Sequence, residues 1–238
     1  MTTTAKGGAK GRRSASRGKI SREAIVAAAL EVSDSSAGLD AVTVRSLATK
    51  LGTGTMTLYG YFRSKDEILD AMADHVMSGI ELPPVEDETP EQALRAVAQA
   101  FVKLMTEHPS VSWLLSSRVT RSHASLKAAM EDILQRFVNT GIPPETAVRC
   151  YGLLIQFALG FAAYQAPRQW GAASGEDGAE LRRQQQHYWA GLPATEFPLV
   201  VALAPQLVML PTEDQFDWGV DLLVEVLTRA LERETQRS

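Results

Sequence analysis

The sequence predicts an all-α protein with two domains. Apolar residues recur at helical spacings of three and four positions along most of the chain, and capping residues precede these runs. No segment alternates apolar and polar residues in the way that a half-buried strand does. The 238 residues are 45% hydrophobic and 22% charged, which excludes collagen-like and wholly disordered classes and allows a substantial core.

Four helices are predicted in the first domain, residues 19–80. The capping residues before helices 1, 2 and 4 are Ser21, Thr43 and Ser64. At helix 4, Glu67 has the spacing that completes a reciprocal capping box. Gly52 ends helix 2, and the third helix, about Thr55 to Phe62, is so short that only Leu58 and Phe62 can face inward.

A segment with three prolines and four acids, residues 81–90, is the predicted boundary between the domains. Residues 90–238 then form a second, larger helical domain. Within it, residues 166–195 are rich in Gly, Gln, Arg and Glu, and they predict a loop with at most a short helix at 181–189. The other helices expected there are one that ends at His108-Pro109, a short one at 111–115, one from Leu126 to Phe137 that stops at Gly141, a long one at 145–165, and a terminal one capped by Thr212 and Gln215.

Charge is distributed unevenly along the chain. Residues 1–22 carry seven basic and no acidic side chains, and residues 1–18 contain no large apolar residue, so we expect a disordered basic arm. Residues 1–75 have 11 basic and 8 acidic residues, a net charge of +3, whereas the remaining 13 basic and 20 acidic residues give −7. This asymmetry indicates that the N-terminal part contacts a polyanion, although a solvated basic tail explains it too.

Helix 2, the glycine turn and the short third helix have the spacing of a helix-turn-helix, in which the second helix of the pair enters the major groove of DNA. The third helix carries small polar and aromatic groups and no acid. At the first turn of helix 2, Thr43 can bind a DNA phosphate and Arg45 can bind a base. Lys65 places a further basic side chain at the start of the next helix. The alternative is a packed three-helix core with ordinary polar residues on its surface.

The run TVRSLATKLGTGTMTLYGYFRSKDEILDAM, residues 43–72, resembles the DNA-binding domain of the tetracycline-repressor (TetR) family. It contains the elements R-x-L-A-x-x-L-G, T-L-Y and Y-F-x-S/N-K in order. More weakly, GIPPETAVRCYGLLIQFALGF and FDWGVDLLVEVLTRALE resemble that family's dimerisation helices. The resemblance implies a cytoplasmic homodimer, joined through residues 145–165 and 217–231, that binds a near-palindromic operator and is most often a repressor released by a small molecule.

The resemblance also implies a set of DNA-contacting positions. They are Thr43, Arg45, Thr55, Met56, Thr57, Tyr59, Tyr61 and Lys65. The sequence departs from the tetracycline repressor itself at Gly60, where that protein has a large aromatic residue, and at Thr55-Met56, which replaces Gln-Pro. We therefore expect a different operator sequence.

An effector cavity is expected among the aromatic and Met-rich helices of the second domain, because such cavities are mostly apolar with few polar anchors. The candidate residues are Phe101, Met105, Trp113, Met130, Phe137, Gln156, Phe157 and Phe161, and most of the apolar ones are equally expected as core. Further polar candidates are Ser116, Arg118, Arg121 and Gln165. The ligand should be small and largely apolar or aromatic. It should also bind without a metal, because His108 and His123 are out of place as counterparts of the tetracycline repressor's metal-binding residues.

Other functions find little support in the sequence. Gly52-Thr53-Gly54 has no preceding strand and no third glycine, and the four His and one Cys have no metal-ligand spacing, so neither a nucleotide, a cofactor nor a metal is expected. No hydrolase motif is present, and we expect no enzymatic activity. Cys150 suits inert packing better than redox sensing. The uncharged run 150–167 is a poor membrane span. The remaining alternative to a DNA-binding regulator is a helical ligand carrier or scaffold.

Overall fold

The computed structural model describes residues 20–34, 38–118, 120–165 and 176–235, and every regular element in these ranges is helical. The basic arm predicted for residues 1–18 lies outside them. The elements are α1 (Arg22–Ser33), α2 (Val44–Lys50), α3 (Thr55–Tyr59), α4 (Lys65–Ser78), α5 (Pro90–Glu107), α6 (Pro109–Ser117), α7 (His123–Leu126), α8 (Asp132–Asn139), α9 (Pro144–Gln165), α10 (Glu176–Ala190), α11 (Pro198–Ala202), α12 (Ala204–Leu207) and α13 (Glu213–Thr235), with a 3₁₀ turn at Leu39–Ala41 and a π-helical turn at Lys127–Glu131.

The capping residues begin their helices as predicted, with one difference at α4. The hydroxyls of Ser21 and Thr43 accept hydrogen bonds from the third residue of α1 and α2, and the Ser64 hydroxyl accepts one from the Glu67 N–H at 3.1 Å. The Glu67 carboxylate does not return the bond to Ser64. It accepts from the Arg63 N–H at 2.7 Å and from the Arg22 guanidinium at 3.2 Å, so the reciprocal box predicted at α4 was wrong. A cation from α1 competes for the carboxylate.

The turn between α2 and α3 depends on a glycine in the left-handed region. Gly52 has φ 62°, its N–H donates to the Thr49 carbonyl at 3.2 Å, and the Thr53 N–H donates to the Ala48 carbonyl at 2.9 Å. This Schellman motif satisfies the last carbonyls of α2 and turns the chain into α3.

Helix α3 ends at Tyr59, earlier than the predicted end at Phe62. The N–H groups of Tyr61 and Phe62 both donate to the Leu58 carbonyl, at 2.9 and 3.0 Å, which closes the helix and turns the chain. Phe62 then enters the core with 2% of its surface exposed, beside Leu58 at 1%. The prediction that these two residues face inward is confirmed.

Helix α4 packs against both halves of the molecule. It contacts α1 on one side, and α6, α7 and the π-helical turn on the other. The N-terminal core around it consists of fully buried side chains that belong to all four helices: Ile25, Leu47, Leu58, Phe62, Ile68 and Met72. The core continues into the second domain without a break.

Helix α9 is the centre of the second domain, where it packs against α5, α6 and α8. Its buried face repeats every three or four residues and consists of Ala147, Cys150, Leu154, Ala158 and Ala162. Cys150 is fully buried, as inert packing requires. By length and composition the segment Pro144–Tyr164 also suffices to cross a membrane, and 33% of it is buried. A core helix of a soluble protein meets the same criteria.

The prediction for residues 166–195 was wrong over its second half. Helix α10 runs for 15 residues from Glu176 to Ala190, where the sequence indicated at most a short helix at 181–189. Gly178 and the small number of apolar residues at helical spacing hide this helix in the sequence, and the packing of α10 against α11 and α12 stabilises it. Residues 166–175 lie outside the described ranges.

The burial of Phe137 gives a stability prediction. Phe137 is fully buried, whereas Met130, another candidate effector residue, is 40% exposed. We expect Phe137→Ala to lower the free energy of unfolding by about 3–5 kcal/mol because it leaves a cavity in the core, and Met130→Ala to cost about 1 kcal/mol or less. Urea unfolding of both variants measures the difference. Equal losses would contradict this placement of Phe137 in the core.

Candidate DNA interface and effector cavity

The helix-turn-helix presents a face free of acidic side chains. Met56 is 80% exposed and Tyr59 is 50% exposed, and the side chains of Thr43, Arg45, Thr55 and Thr57 are exposed as well. Among the described residues, the side chains of Arg45, Thr55, Thr57 and Tyr59 have no hydrogen-bond partner, so their polar groups are available to a ligand. Hydroxyl, guanidinium and apolar groups of this kind can meet phosphates, base edges and thymine methyls.

Three of the predicted DNA-contacting residues have partners within the domain: Thr43, whose hydroxyl caps α2 through Ser46, Tyr61 and Lys65. The Tyr61 hydroxyl donates to the Ile20 carbonyl at 2.5 Å, and the half-buried ring packs against the core. The Lys65 ammonium donates to the Leu39 carbonyl at 3.2 Å. Lys65 keeps two further N–H groups, but Tyr61 uses its only O–H, so its hydroxyl supports the fold.

The end of α3 is held in place by Arg22 of α1. The Arg22 guanidinium donates to the Tyr61 carbonyl at 2.8 Å and to Glu67 at 3.2 Å, and it lies 4.0 Å from the centre of the Phe62 ring. The Arg63 N–H, helped by Arg22, holds the pKa of the Glu67 carboxyl below its ordinary value. These contacts fix the orientation of α3 relative to α1 and α4.

The N-terminal half of α4 is joined to the second domain by Arg118, which directly follows α6. The guanidinium donates to Asp66 at 2.7 Å and to Asp70 at 2.6 Å, and its side chain is 24% exposed. Hydrogen bonds from these two aspartates raise the pKa of Arg118 further. The next acid along α4, Asp74, accepts from the N–H groups of Arg121 and Ser122 at 2.9 and 3.1 Å. Three carboxylates of α4 therefore bind the segment after α6.

The other end of α6 is joined to α1. Asp34, at the end of α1, accepts a hydrogen bond from the Ser110 hydroxyl at 2.6 Å, and its second oxygen lies 3.0 Å from Nδ1 of His108. The hydroxyls of Ser33 and Ser110 are 2.8 Å apart. Both ends of α6 are thus tied to carboxylates of the N-terminal domain.

A cavity of about 690 Å³ lies between α5, α9 and the start of α13. Met105, Phe161 and Phe216 supply apolar surface, and the first residue of α6, Pro109, also lines the cavity. The Phe161 and Phe216 ring centres are 4.9 Å apart, and Phe157 stacks on Phe216 with ring centres 5.3 Å apart. Charged side chains of both signs reach the cavity; they are Lys103, Arg182, Glu213 and Asp217. Such a lining suits an aromatic ligand with a few polar groups.

The structure brings only part of the expected effector set to this cavity. Met105 and Phe161 line it. Phe101 and Phe137 are fully buried core residues, and Phe157 stacks on Phe216 but does not line the cavity. Trp113, Met130 and Gln156 are exposed and lie outside the lining. Of the further polar candidates, Arg118 holds α4, Ser116 donates to the Trp113 carbonyl, Arg121 is exposed, and the Gln165 side chain is outside the described part.

Sequence reasoning did not identify the contributions of α10 and α13 to the cavity. Phe216 follows the capping signal of Thr212, whose hydroxyl accepts from the Gln215 N–H at 3.1 Å, so it was recognisable as an inward residue of the last helix. Arg182 lies in a segment that the sequence predicted mainly as loop, and no local signal placed it. Within the described ranges, no three His, Cys, Asp or Glu side chains are grouped so as to hold a metal ion.

An acid-free helix-turn-helix face on one domain and a cavity in the other define a DNA-binding regulator. A family model described as bacterial regulatory proteins of the tetR family matches residues 25–72, and a model of the tetracyclin repressor-like C-terminal domain matches residues 82–230. The chain therefore belongs to the TetR family of transcription regulators, and the resemblance seen in the sequence is confirmed. Regulators of this family are generally not enzymes.

Similar proteins extend over most of the chain. The transcriptional repressor DrrR1 of Streptomyces coeruleorubidus is 29% identical over 213 residues, which are 87% of this chain and 77% of that protein. ActR of Streptomyces coelicolor, in complex with actinorhodin, is 27% identical with a TM-score of 0.73, covering 90% of this chain and 98% of ActR. The class D tetracycline repressor of Escherichia coli is 38% identical over 60 residues, 25% of this chain and 27% of that protein. These matches support a DNA-binding repressor over a carrier or scaffold.

Two tyrosines of the helix-turn-helix provide a matched test of this geometry. Tyr59→Phe removes a free hydroxyl, so we expect operator binding to weaken by about 0.5–1.5 kcal/mol without loss of stability. Tyr61→Phe removes the bond to the Ile20 carbonyl, so it should lower the free energy of unfolding by about 0.5–1.5 kcal/mol and leave operator affinity nearly unchanged. Fluorescence anisotropy with operator and urea unfolding measure both quantities. The reverse pattern would show that Tyr61 is the DNA contact.

Proposed function

We propose that two copies of this chain form a cytoplasmic repressor that binds a near-palindromic operator and is released by a small, largely apolar ligand. The observation that carries this proposal is the position of α6. Its first residue, Pro109, lines the cavity, and Arg118 after its last residue pairs with Asp66 and Asp70 of α4. A ligand that displaces α6 therefore acts on the helix that supports α3.

The release follows from linkage. A ligand shifts the dimer toward the arrangement to which it binds more tightly, and operator DNA shifts it toward the arrangement with correctly spaced reading helices. If these arrangements differ, the effector lowers the affinity for operator DNA, and operator DNA lowers the affinity for the effector by the same factor. A coupling free energy of about 1–3 kcal/mol corresponds to a roughly 5- to 150-fold change in operator affinity, enough for a genetic switch.

The dimer interface is assigned to residues 145–165 and 217–231 because α9 and α13 leave apolar side chains exposed. On α13 these are Trp218 at 63%, Leu222 at 43% and Val226 at 62%, which form one stripe at four-residue spacing. On α9, Val148 and Leu153 are 57% and 44% exposed. Exposed apolar side chains on both helices support a four-helix interface around a two-fold axis, which would also cover the membrane-length helix α9. The reading helices would then meet major grooves roughly 34–36 Å apart.

The ligand class is inferred from the cavity and from a relative. The Phe161–Phe216 pair offers an aromatic surface, and the similar protein ActR was solved in complex with actinorhodin. We therefore assign a flat aromatic effector to this cavity.

DNA binding is tested with the DNA that flanks the gene for this chain. At a fixed salt concentration the wild-type protein should bind one duplex more tightly than random DNA. Arg45→Ala should weaken binding to that duplex by about 1–3 kcal/mol and so reduce the difference in affinity between that duplex and random DNA. The control Arg183→Ala changes an exposed arginine that pairs with Glu180 on α10, outside the helix-turn-helix and the assigned dimer interface, and should leave binding unchanged. If the wild type binds no duplex better than random DNA, the carrier alternative is favoured.

The dimer assignment predicts that one charge on the apolar stripe separates the subunits. Val226→Glu should yield monomer or aggregate in sedimentation velocity, because it buries a carboxylate in the proposed interface. Val85→Glu is the matched control, since Val85 is 51% exposed in the segment between the domains. A stable dimer in both variants would contradict this interface.

The effector assignment predicts release by aromatic compounds without a metal. Actinorhodin and related flat aromatic polyketides are titrated against the operator complex, with and without EDTA. At least one compound should weaken operator binding equally in both conditions. An inducer that loses its effect in EDTA and regains it with magnesium would show that the cavity uses a metal ion.

A further inference from the structure

The reading helix α3 lacks the side chains that pair with a purine edge through two hydrogen bonds. Its five residues, Thr55–Tyr59, include no Arg, Lys, Asn or Gln, and Gly54 and Gly60 flank it. Arg and Lys read guanine in this way, and Asn and Gln read adenine. Among the predicted contacts the cations are Arg45 of α2 and Lys65 of α4; Lys65 commits one N–H to the Leu39 carbonyl, whereas the Arg45 guanidinium is exposed and keeps all its donors.

What α3 offers to DNA is mainly apolar surface. Met56 is 80% exposed, more than any other large hydrophobic side chain in the described part of the chain, and Tyr59 is 50% exposed. The two residues are three positions apart, so they lie on one face of the helix. The inward residue of this helix is Leu58, which is 1% exposed, so Met56 and Tyr59 are not required by the core.

The major groove contains one apolar feature that varies with sequence, the C5-methyl group of thymine. Exposed Met and aromatic surface gains free energy when it excludes water together with such a methyl, and it gains nothing comparable from cytosine or from a purine edge. The free hydroxyls of Thr55 and Thr57 stand on the same short helix and can bind phosphate oxygens or base edges without discriminating strongly between bases.

We propose that Met56 and the Tyr59 ring read thymine methyl groups, so that each operator half-site has a thymine-containing segment under α3 and a guanine under Arg45. The inference rests on the proposed operator binding and names the base chemistry of that operator. Specificity under α3 then comes from burial of methyl groups, and the guanidinium supplies the directional contact from α2.

Uracil scanning tests this directly, because deoxyuridine differs from thymidine in a duplex only by the missing methyl. The probe is the duplex that the full chain selects from a random-sequence pool at fixed salt. Replacing a thymine under α3 by deoxyuridine should raise Kd about fourfold, the change expected for burial of one carbon of this size. Thymines outside the half-site should show no change.

Met56→Ala identifies the side chain responsible. In this variant the ratio of Kd for uracil and thymine should fall to about one at a single position of each half-site, while binding to random DNA and the circular dichroism spectrum remain as in the wild type. Leu199→Ala is the control, because Leu199 is also largely exposed, at 71%, but lies on α11 in the second domain. It should keep the wild-type ratio at every thymine.

The possible outcomes separate this inference from the proposed function. Failure to select any duplex over random DNA would overturn operator binding itself. Selection of a specific duplex whose uracil scan is flat, or whose scan is unaltered by Met56→Ala, would overturn methyl reading and leave the repressor in place. A selected half-site without thymine under α3 would overturn it as well.

Discussion

The arrangement of the whole molecule depends on α4, because this one helix is packed into both domains. Its apolar side chains Ile68 and Met72 complete the core under the helix-turn-helix, and its aspartates 66, 70 and 74 bind the segment after α6. Single exposed ion pairs contribute little to stability. Here one largely covered guanidinium meets two carboxylates while a third carboxylate accepts backbone N–H groups, so the joint has a defined geometry. In the proposed release, a displacement of α6 therefore reaches α3 through α4.

Local signals made most of the N-terminal domain predictable, whereas contacts between distant parts of the chain were not. Capping residues, the Gly52 turn and the inward pair Leu58 and Phe62 follow from residues within one or two helical turns. Tyr61 was expected on DNA because the family places that position there, but its hydroxyl binds the carbonyl of Ile20, 41 residues earlier. Arg118 appeared only as a polar candidate for the cavity, and its partners lie 48 and 52 residues away. No local pattern in the sequence predicts either of these pairings.

The lining of the cavity was also only partly predictable from the sequence. Helical periodicity indicates which side of a helix is inward, but it does not distinguish a side chain that fills the core from one that borders an empty volume. Phe101 and Phe161 were equivalent in the sequence, yet Phe101 is fully buried and Phe161 lines the cavity. Arg182 was not predicted because α10 has few apolar residues at helical spacing, and its packing against α11 and α12 involves contacts that no local pattern indicates.

The central claim is that the joint between Arg118 and α4 sets the orientation of the reading helices within the dimer. The most direct test is the distance between spin labels at Asp40→Cys in the two subunits, measured by electron-electron double resonance. Cys150 is fully buried and can remain unlabelled. The account predicts one narrow distance distribution for the otherwise unaltered protein and for the control Arg183→Ala, which changes an exposed arginine of α10, and a much broader one for Arg118→Ala. An equally narrow distribution in Arg118→Ala would contradict it.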